Sequence, residues 1–106
     1  MLIPNFIFGK IPERMRPAVL RYIMDGITPG DFISAILENN FYNAAFMADD
    51  ENFMYLREYA RMLNALPIDC WGSRKKVDSW MRLGGMNGIK RREEENESGD
   101  NNEIQG

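Results

Sequence analysis

The chain has 106 residues, of which 44% are hydrophobic and 11% aromatic, so it can form one small domain with a modest core. Its formal net charge of −3 comes from one end: residues 1–83 carry ten basic and ten acidic side chains, and residues 84–106 carry three and six. A body without net positive charge has no field that attracts polyanions, which disfavours nucleic-acid binding.

Neither the first residues nor the cysteine content points to export. Residues 1–8 lack the basic start of a secretory signal, and Pro4 and Asn5 interrupt their apolar run. Cys70 is the single cysteine and cannot form an intramolecular disulfide, which suits a reducing compartment. No apolar run approaches the roughly 20 residues that a membrane-spanning helix needs. We therefore expect a cytoplasmic protein with no membrane partner.

The sequence pattern predicts an all-α fold with three parts. Residues 1–11 form an extended, apolar N-terminal arm. The arm should pack either on the helices of its own chain or on a second copy, and packing on a second copy would form a homo-oligomer. Residues 12–84 form a compact bundle of about four to five helices. Residues 85–106 are rich in Glu, Asn, Ser and Gly; because they cannot offset their ordering entropy by burial, they are predicted to be a disordered acidic tail.

The first half of the bundle should contain three helices. The first covers about residues 12–25, is interrupted near residues 13–16 by Pro17, and ends at Gly26 in the left-handed conformation. Thr28 is predicted to cap the second, with Pro29 at its first position. A short third helix covers about residues 41–47.

The second half should contain two more helices. Asp49 caps the fourth and longest, residues 50–66, whose predicted buried stripe consists of Phe53, Leu56, Ala60 and Leu63. Ser73 caps the last, residues 74–83, which buries Val77, Trp80 and Met81 before Gly84-Gly85 end it.

The chain lacks the groups that most enzymes use. It has no histidine, which excludes the Ser/His and Cys/His nucleophile systems and the usual catalytic metal ligand. One cysteine excludes a thiolate zinc site. Phosphate-cradling glycine loops and nucleophile elbows are absent. We therefore expect no catalytic residue, no metal ligand and no cofactor.

Four features can still be interpreted in two ways. Glu38 beside Asn39 and Asn40 can form a polar site at the end of a helix, and the alternative is a solvated helix stop. Asp49-Asp50-Glu51 can bind a hard cation, but a helix cap explains the run better because its spacing is not that of a calcium loop. Cys70 precedes a basic helix start, yet with no histidine partner a packing role is favoured. Trp71, followed by Ser73 and three basic residues, resembles an anion or nucleotide subsite; the alternative is a Trp that closes the base of the bundle.

Three stretches of the sequence form a wider pattern: Arg21-Tyr22-x3-Gly26-x2-Pro29-Gly30-x-Phe32-x2-Ala35-x-Leu37-Glu38-Asn39, then Ala48-Asp49-x-Glu51-Asn52, then Pro67-x2-Cys70-Trp71-Gly72-Ser73-x2-Lys76-Val77-x2-Trp80. The pattern resembles small uncharacterised accessory proteins encoded by tailed phages and prophages, over about residues 21–80. An Asp follows the Glu-Asn pair in that pattern, whereas Asn40 stands here, so a role that needs this carboxylate is not carried over. The resemblance implies an accessory protein that acts in the host cytoplasm.

Two functions are compatible with these features. The first is non-enzymatic protein binding that inhibits or modulates a host protein, because catalytic groups are lacking and the arm has excess apolar surface. The second is sequestration of a small nucleotide ligand that signals in host defence. An enzyme, the third possibility, would have to use carboxylates or Cys70 alone. The candidate ligand-binding residues are Arg21, Tyr22, Glu38, Asn39, Asn52, Trp71 and Ser73.

Overall fold

Residues 8–105 are described by the structure, a computed structural model, and their side chains as far as residue 96. After a 3-10 turn at Glu13–Met15, the helices are α1 (Arg16–Asp25), α2 (Asp31–Leu37), α3 (Phe41–Met47), α4 (Asp50–Met54), α5 (Leu56–Leu63), α6 (Arg74–Leu83) and α7 (Gly85–Gln105), with a second 3-10 turn at Ile68–Cys70. The predicted all-α class is confirmed for the described part of the chain, which contains no strand. Seven helices stand where four to five were predicted.

The start and end of α1 follow from single residues. Pro17 lies in its first turn, where a missing N–H leaves no hydrogen bond unmade, so the α-helix begins at residue 16 and not at residue 12. Gly26 ends it in the left-handed conformation with φ 68°, as predicted. Thr28 does not cap α2; the N-cap is Gly30, whose φ of 92° few other residues adopt.

The predicted long helix over residues 50–66 is wrong. Tyr55 leaves the helical conformation, with φ −103° and ψ 14°, and divides the segment into α4 and α5. The break changes which side chains face inward. Phe53 and Ala60 of the predicted stripe are exposed, whereas Asn52, Tyr59 and Met62 are buried with Leu63.

The predicted start of the disordered tail, at residue 85, is also wrong. α7 begins directly after the left-handed Gly84 and packs on α1 and α6. Met86 and Ile89, half-buried, contact the core, so the first turns of α7 do have apolar area to bury. The described side chains of residues 90–96 are exposed, and the side chains of the last ten residues lie outside the described part.

The core fills the space between α1, α2, α5 and α6 and includes the end of the predicted arm, since Phe8 and Ile11 are buried. Residues 1–7 lie outside the described part, so packing of the arm on a second copy stays a prediction. In the described residues, none of the helices has the length and apolar character needed to cross a membrane. The buried hydrophobic residues are Phe8, Ile11, Val19, Tyr22, Ile23, Phe32, Ile33, Ala35, Ile36, Leu37, Ala44, Tyr59, Met62, Leu63, Leu66, Cys70, Val77 and Trp80.

Candidate functional site

The surface of α3 and α4 is the part of the molecule that core packing does not explain. Six large apolar side chains within 14 consecutive residues are exposed to solvent. We call this set the α3–α4 apolar face; it consists of Tyr42 (74% exposed), Phe46 (75%), Met47 (50%), Phe53 (56%), Met54 (82%) and Tyr55 (36%). Taking about 200 Å² for each fully exposed large side chain, these six side chains together expose roughly 700 Å². A standard protein interface covers about 800 Å² on each partner, so their summed area is comparable with one side of an interface.

α3 exposes this surface because six of its seven residues are apolar, the exception being Asn43. Ala44 points into the core, and Phe41 and Ala45 are half-buried, which satisfies the inward face. Tyr42 and Phe46, four residues apart, then share the outward face, where their rings meet edge to face with centroids 5.0 Å apart. The side chain of Asn40 caps the helix by accepting a hydrogen bond from the N–H of Asn43, at 3.2 Å.

α4 has the opposite of the usual polarity. Its one buried residue is polar: the Oδ1 atom of Asn52 accepts a hydrogen bond of 2.7 Å from the hydroxyl of Tyr59, also buried. Its apolar residues, Phe53 and Met54, face solvent. A short helix that buries an amide and exposes an aromatic ring gains little stability from its own packing. Such a reversal of the usual arrangement, with apolar side chains inside and polar ones outside, is found at binding surfaces.

Two ion pairs fix the start of α4. The Arg14 guanidinium donates to Asp49 and to Glu51, each at 2.7 Å, and so joins α4 to the turn before α1. Asp49 also caps α4, as predicted, by accepting from the N–H of Asn52 at 2.8 Å. This backbone hydrogen bond, followed by the bond from Arg14, lowers the pKa of Asp49 below its ordinary value. The capping interpretation of the acidic run therefore agrees with the geometry.

A polar groove of about 440 Å³ borders the face between α2, α3 and α6. Asn43 and Met47 belong to its wall, so the groove and the outward side of α3 are continuous. Its charged lining is acidic on balance, because it contains three carboxylates and one guanidinium. These charged residues, which form no ion pair within the described part of the chain, are Asp31, Glu38, Asp78 and Arg74.

Two of the predicted ligand-binding residues are structural. The hydroxyl of Tyr22 donates to the carbonyl of Cys70 at 2.6 Å, and the carbonyl of Tyr22 accepts from Nε1 of Trp80 at 3.0 Å. Tyr22 is fully buried between these partners. Asn52 is buried beside Tyr59, on a different helix from the other candidates. Neither side chain is open to a ligand in this arrangement.

The other candidates are nearer to one another. The N–H of Gly72 donates to the carbonyl of Leu37 at 2.7 Å, which places the Trp71 loop against the end of α2 beside Glu38. Trp71 is half-buried and packs on the core. The hydroxyl of Ser73 is used as the predicted cap and accepts from the N–H of Lys76 at 3.1 Å.

Of the remaining candidates, Arg21 and Asn39 are exposed, and Asn39 has a φ of 62°. Only Glu38 among the seven candidates lines the groove. The structure thus brings Glu38 and the Trp71 loop together, but it does not assemble all seven into one site.

Another cleft, of about 510 Å³, lies where the first turns of α7 cross α1 and α6. Its walls are mainly apolar and include Met24, Trp80, Met86 and Ile89, with Lys90 and Glu93 at the polar edge. Trp80 is shared with the core, so this cleft forms together with the packing of α7.

Cys70 is a packing residue in this structure. It is fully buried, and burial raises the pKa of its thiol to about 12. A neutral, inaccessible thiol is a poor nucleophile. In addition, the described residues contain no group of three or more His, Cys, Asp and Glu side chains that could hold a metal ion.

The sequence interpretation missed the α3–α4 apolar face. A detectable signal was present in residues 41–47, where six of the seven side chains are apolar, more than one buried stripe requires. No family model matches this chain, and no curated protein or solved structure matches it significantly.

Proposed function

We propose that this chain is a non-enzymatic protein-binding module whose partner docks on the α3–α4 apolar face. The observation that carries the proposal is the reversed polarity of α4, where Asn52 is buried while Phe53 and Met54 are exposed. Aromatic residues and methionine are enriched in the centres of interfaces, and methionine adapts its shape to a partner. Docking would remove from water the apolar area that folding leaves exposed.

Charge defines the kind of partner. Asp50 lies at the start of α4, and the groove beside α3 carries the carboxylates of Asp31, Glu38 and Asp78 against one guanidinium. The face is therefore an apolar centre with an acidic margin. Its complement is a protein segment with an apolar centre flanked by Lys or Arg, such as a basic amphipathic helix. Together with the resemblance to phage accessory proteins, this supports a host protein as the partner, inhibited or modulated by occupation of that segment.

The proposal is tested by comparing matched variants of the full chain as bait in host-cell lysate. Phe46→Ser and Met54→Ser remove exposed side chains of the face, and Ile68→Ser removes a side chain that is as exposed (72%) on the loop before α6. The variants should keep the melting temperature of the parent, because exposed side chains contribute little to stability. A protein captured by the parent and by Ile68→Ser, but lost with both other variants, supports the proposal.

Two results would overturn it. The first is capture that is equal for all four baits, since the partner would then bind elsewhere. The second is a dimer of the parent in light scattering that Phe46→Ser converts to a monomer. In that case the face is covered by a second copy, and a heterologous partner is not its occupant.

The nucleotide-binding alternative has one observation in its favour, the contact that joins the Trp71 loop to the end of α2 beside Glu38. The charge of the adjoining groove weighs against it, because three carboxylates repel a phosphate. A thermal-shift screen of linear and cyclic nucleotides tests it directly. A ligand at 100 times its dissociation constant adds about 2.7 kcal/mol to the free energy of unfolding, and the absence of any shift would discard the alternative.

A further inference from the structure

Three arginines line one groove at the corner between α6 and α7. The groove has a volume of about 430 Å³ and is walled by Arg82, Arg91 and Arg92, together with Leu83, Gly84, Gly88 and Glu95. None of the residues proposed above for partner or nucleotide binding contributes to it. Ser73 and Arg82 lie at opposite ends of α6, about 13 Å apart along the helix axis, so the groove is also distinct from the Trp71 loop.

The glycines of the corner bring the arginines together. Gly84 adopts a φ of 82° and Gly85 a φ of 66°, which lets α7 begin directly after α6. Two turns further on, the guanidinium of Arg92 donates to the carbonyl of Arg82 at 3.4 Å. Gly88 lies against the carbonyl of Leu83, where there is no room for a side chain, so α7 packs closely on the end of α6 beside the groove. The groove is thus formed by the fold itself, because residues nine and ten positions apart in sequence line it.

The charges in this groove are not compensated within the described part of the chain. None of the three guanidiniums takes part in an ion pair there, including with Glu95 at the margin. Arginine stays charged at every physiological pH, so three of them beside one cavity repel one another. A bound anion would relieve this repulsion, and the guanidinium fork matches the oxygens of a phosphate.

We propose that the groove binds a small molecule that presents a phosphate or diphosphate group. A compact anion fits better than an extended one because Glu93, Glu94 and Glu95 follow the arginines along α7. A nucleic-acid strand leaving the groove along this helix would meet three carboxylates. The volume also falls in the range of small-ligand sites, about 300–1,000 Å³. This proposal is independent of partner docking on the α3–α4 apolar face.

The test uses the full chain and pyrophosphate, titrated at constant ionic strength and followed both by calorimetry and by amide NMR shifts. The proposal predicts saturable binding, with the largest shifts at residues 82–92. It also predicts that Arg82→Gln and Arg91→Gln each weaken binding about tenfold. Arg57→Gln, which removes an exposed arginine from α5, is the matched control and should leave binding unchanged.

Three outcomes would overturn the proposal. The first is linear, non-saturating shifts, which indicate only ionic screening. The second is an equal loss of affinity in Arg57→Gln and in the groove variants. The third is tighter binding of a single-stranded oligonucleotide than of pyrophosphate at the same ionic strength. Because the NMR readout uses the unmodified chain, the test holds even if a groove variant fails to fold.

Discussion

Tyr22 joins three parts of the fold through its own atoms. Its ring is buried in the core, its hydroxyl bonds to the carbonyl of Cys70 before α6, and its carbonyl receives the indole N–H of Trp80 within α6. Trp80 is thereby both a large apolar group and a hydrogen-bond donor to α1. The position of Trp80 in the core was predictable from the spacing of apolar residues in α6. Its bond to the carbonyl of Tyr22 was not, because it depends on how two helices 58 residues apart in sequence pack together.

The two tryptophans should differ in their effect on stability. Trp80→Ala should lower the free energy of unfolding by about 3–5 kcal/mol, because it leaves a cavity and removes one of the two hydrogen bonds that the carbonyl of Tyr22 accepts. Trp71→Ala should cost about 1–2 kcal/mol, since Trp71 is only half-buried. Urea unfolding of both variants measures the difference. Equal losses would show that Trp71 is as much a core residue as Trp80.

Cys70 should react with a thiol reagent only after unfolding. Burial raises the pKa of its thiol to about 12 from an ordinary value of 9.0. A raised pKa favours the protonated form in the folded chain, so the corresponding stability is fully present below pH 9 and is lost as the pH rises toward 12. At pH 8 the labelling rate in native buffer should therefore be far below that in 8 M urea. Rapid labelling of the native chain would contradict the buried placement.

Among the elements, α4 shows the limits of periodicity as a guide. A continuous helix over residues 50–66 would place Phe53 inward, and nothing local in the sequence signals the break at Tyr55. The inward residue is instead Asn52, because Tyr59 on α5 offers it a buried hydroxyl partner. The pairing of two residues from two helices decides the register here. By contrast, the caps Asp49 and Ser73 were predictable, since a cap depends only on the next three residues.

The α6–α7 corner was misread for a related reason. Gly84-Gly85 is a usual helix terminator, but here the second glycine also allows a close contact with the end of α1. A methyl group on Gly85 would lie 2.7 Å from the backbone nitrogens of Asp25 and Gly26. Such proximity between distant segments leaves no periodic pattern, so the sequence alone indicated only that a helix ends.

Substitution of the two glycines Gly85 and Gly9 should separate crowding from backbone strain. Both have a positive φ, 66° and 56°, but a methyl group on Gly9 would meet nothing within 4 Å. Gly9→Ala should therefore show only the strain, about 1–3 kcal/mol. Gly85→Ala should cost about 1–3 kcal/mol more, because α7 must move away from α1. Chemical denaturation measures both, and equal costs would mean that α7 does not pack closely on α1.

For the whole molecule, the folded body extends beyond its predicted end at residue 84 and includes the first turns of α7. The overall charge division, with a neutral body and an acidic end, is unaffected by this change, because the acidic residues follow the packed turns. Composition predicted the all-α class and the acidic end correctly. It could not show that Met86 and Ile89 are near enough to the core to be buried, since two apolar residues form no stripe of their own.

Two truncations locate this boundary. Deletion of residues 90–106 should leave the melting temperature nearly unchanged, because the described side chains of residues 90–96 are exposed. Deletion of residues 85–106 also removes Met86 and Ile89 and should lower the melting temperature by about 10–20 °C, roughly the effect of 2–3 kcal/mol. Calorimetry of the two shortened chains makes the comparison. A large drop with the shorter deletion would show that the acidic end docks on the body.

Photo-crosslinking at single positions of the α3–α4 apolar face tests the central proposal most directly. A photoreactive phenylalanine analogue replaces Phe46 in one chain and Ile68 in another, both of which are about three-quarters exposed. The proposal predicts that, in host cells, position 46 yields a discrete adduct with another protein and position 68 does not. Two results would contradict the assignment of the face to a partner protein. One is an adduct with another protein that forms at position 68 and not at position 46, and the other is an adduct at position 46 that contains a second copy of this chain.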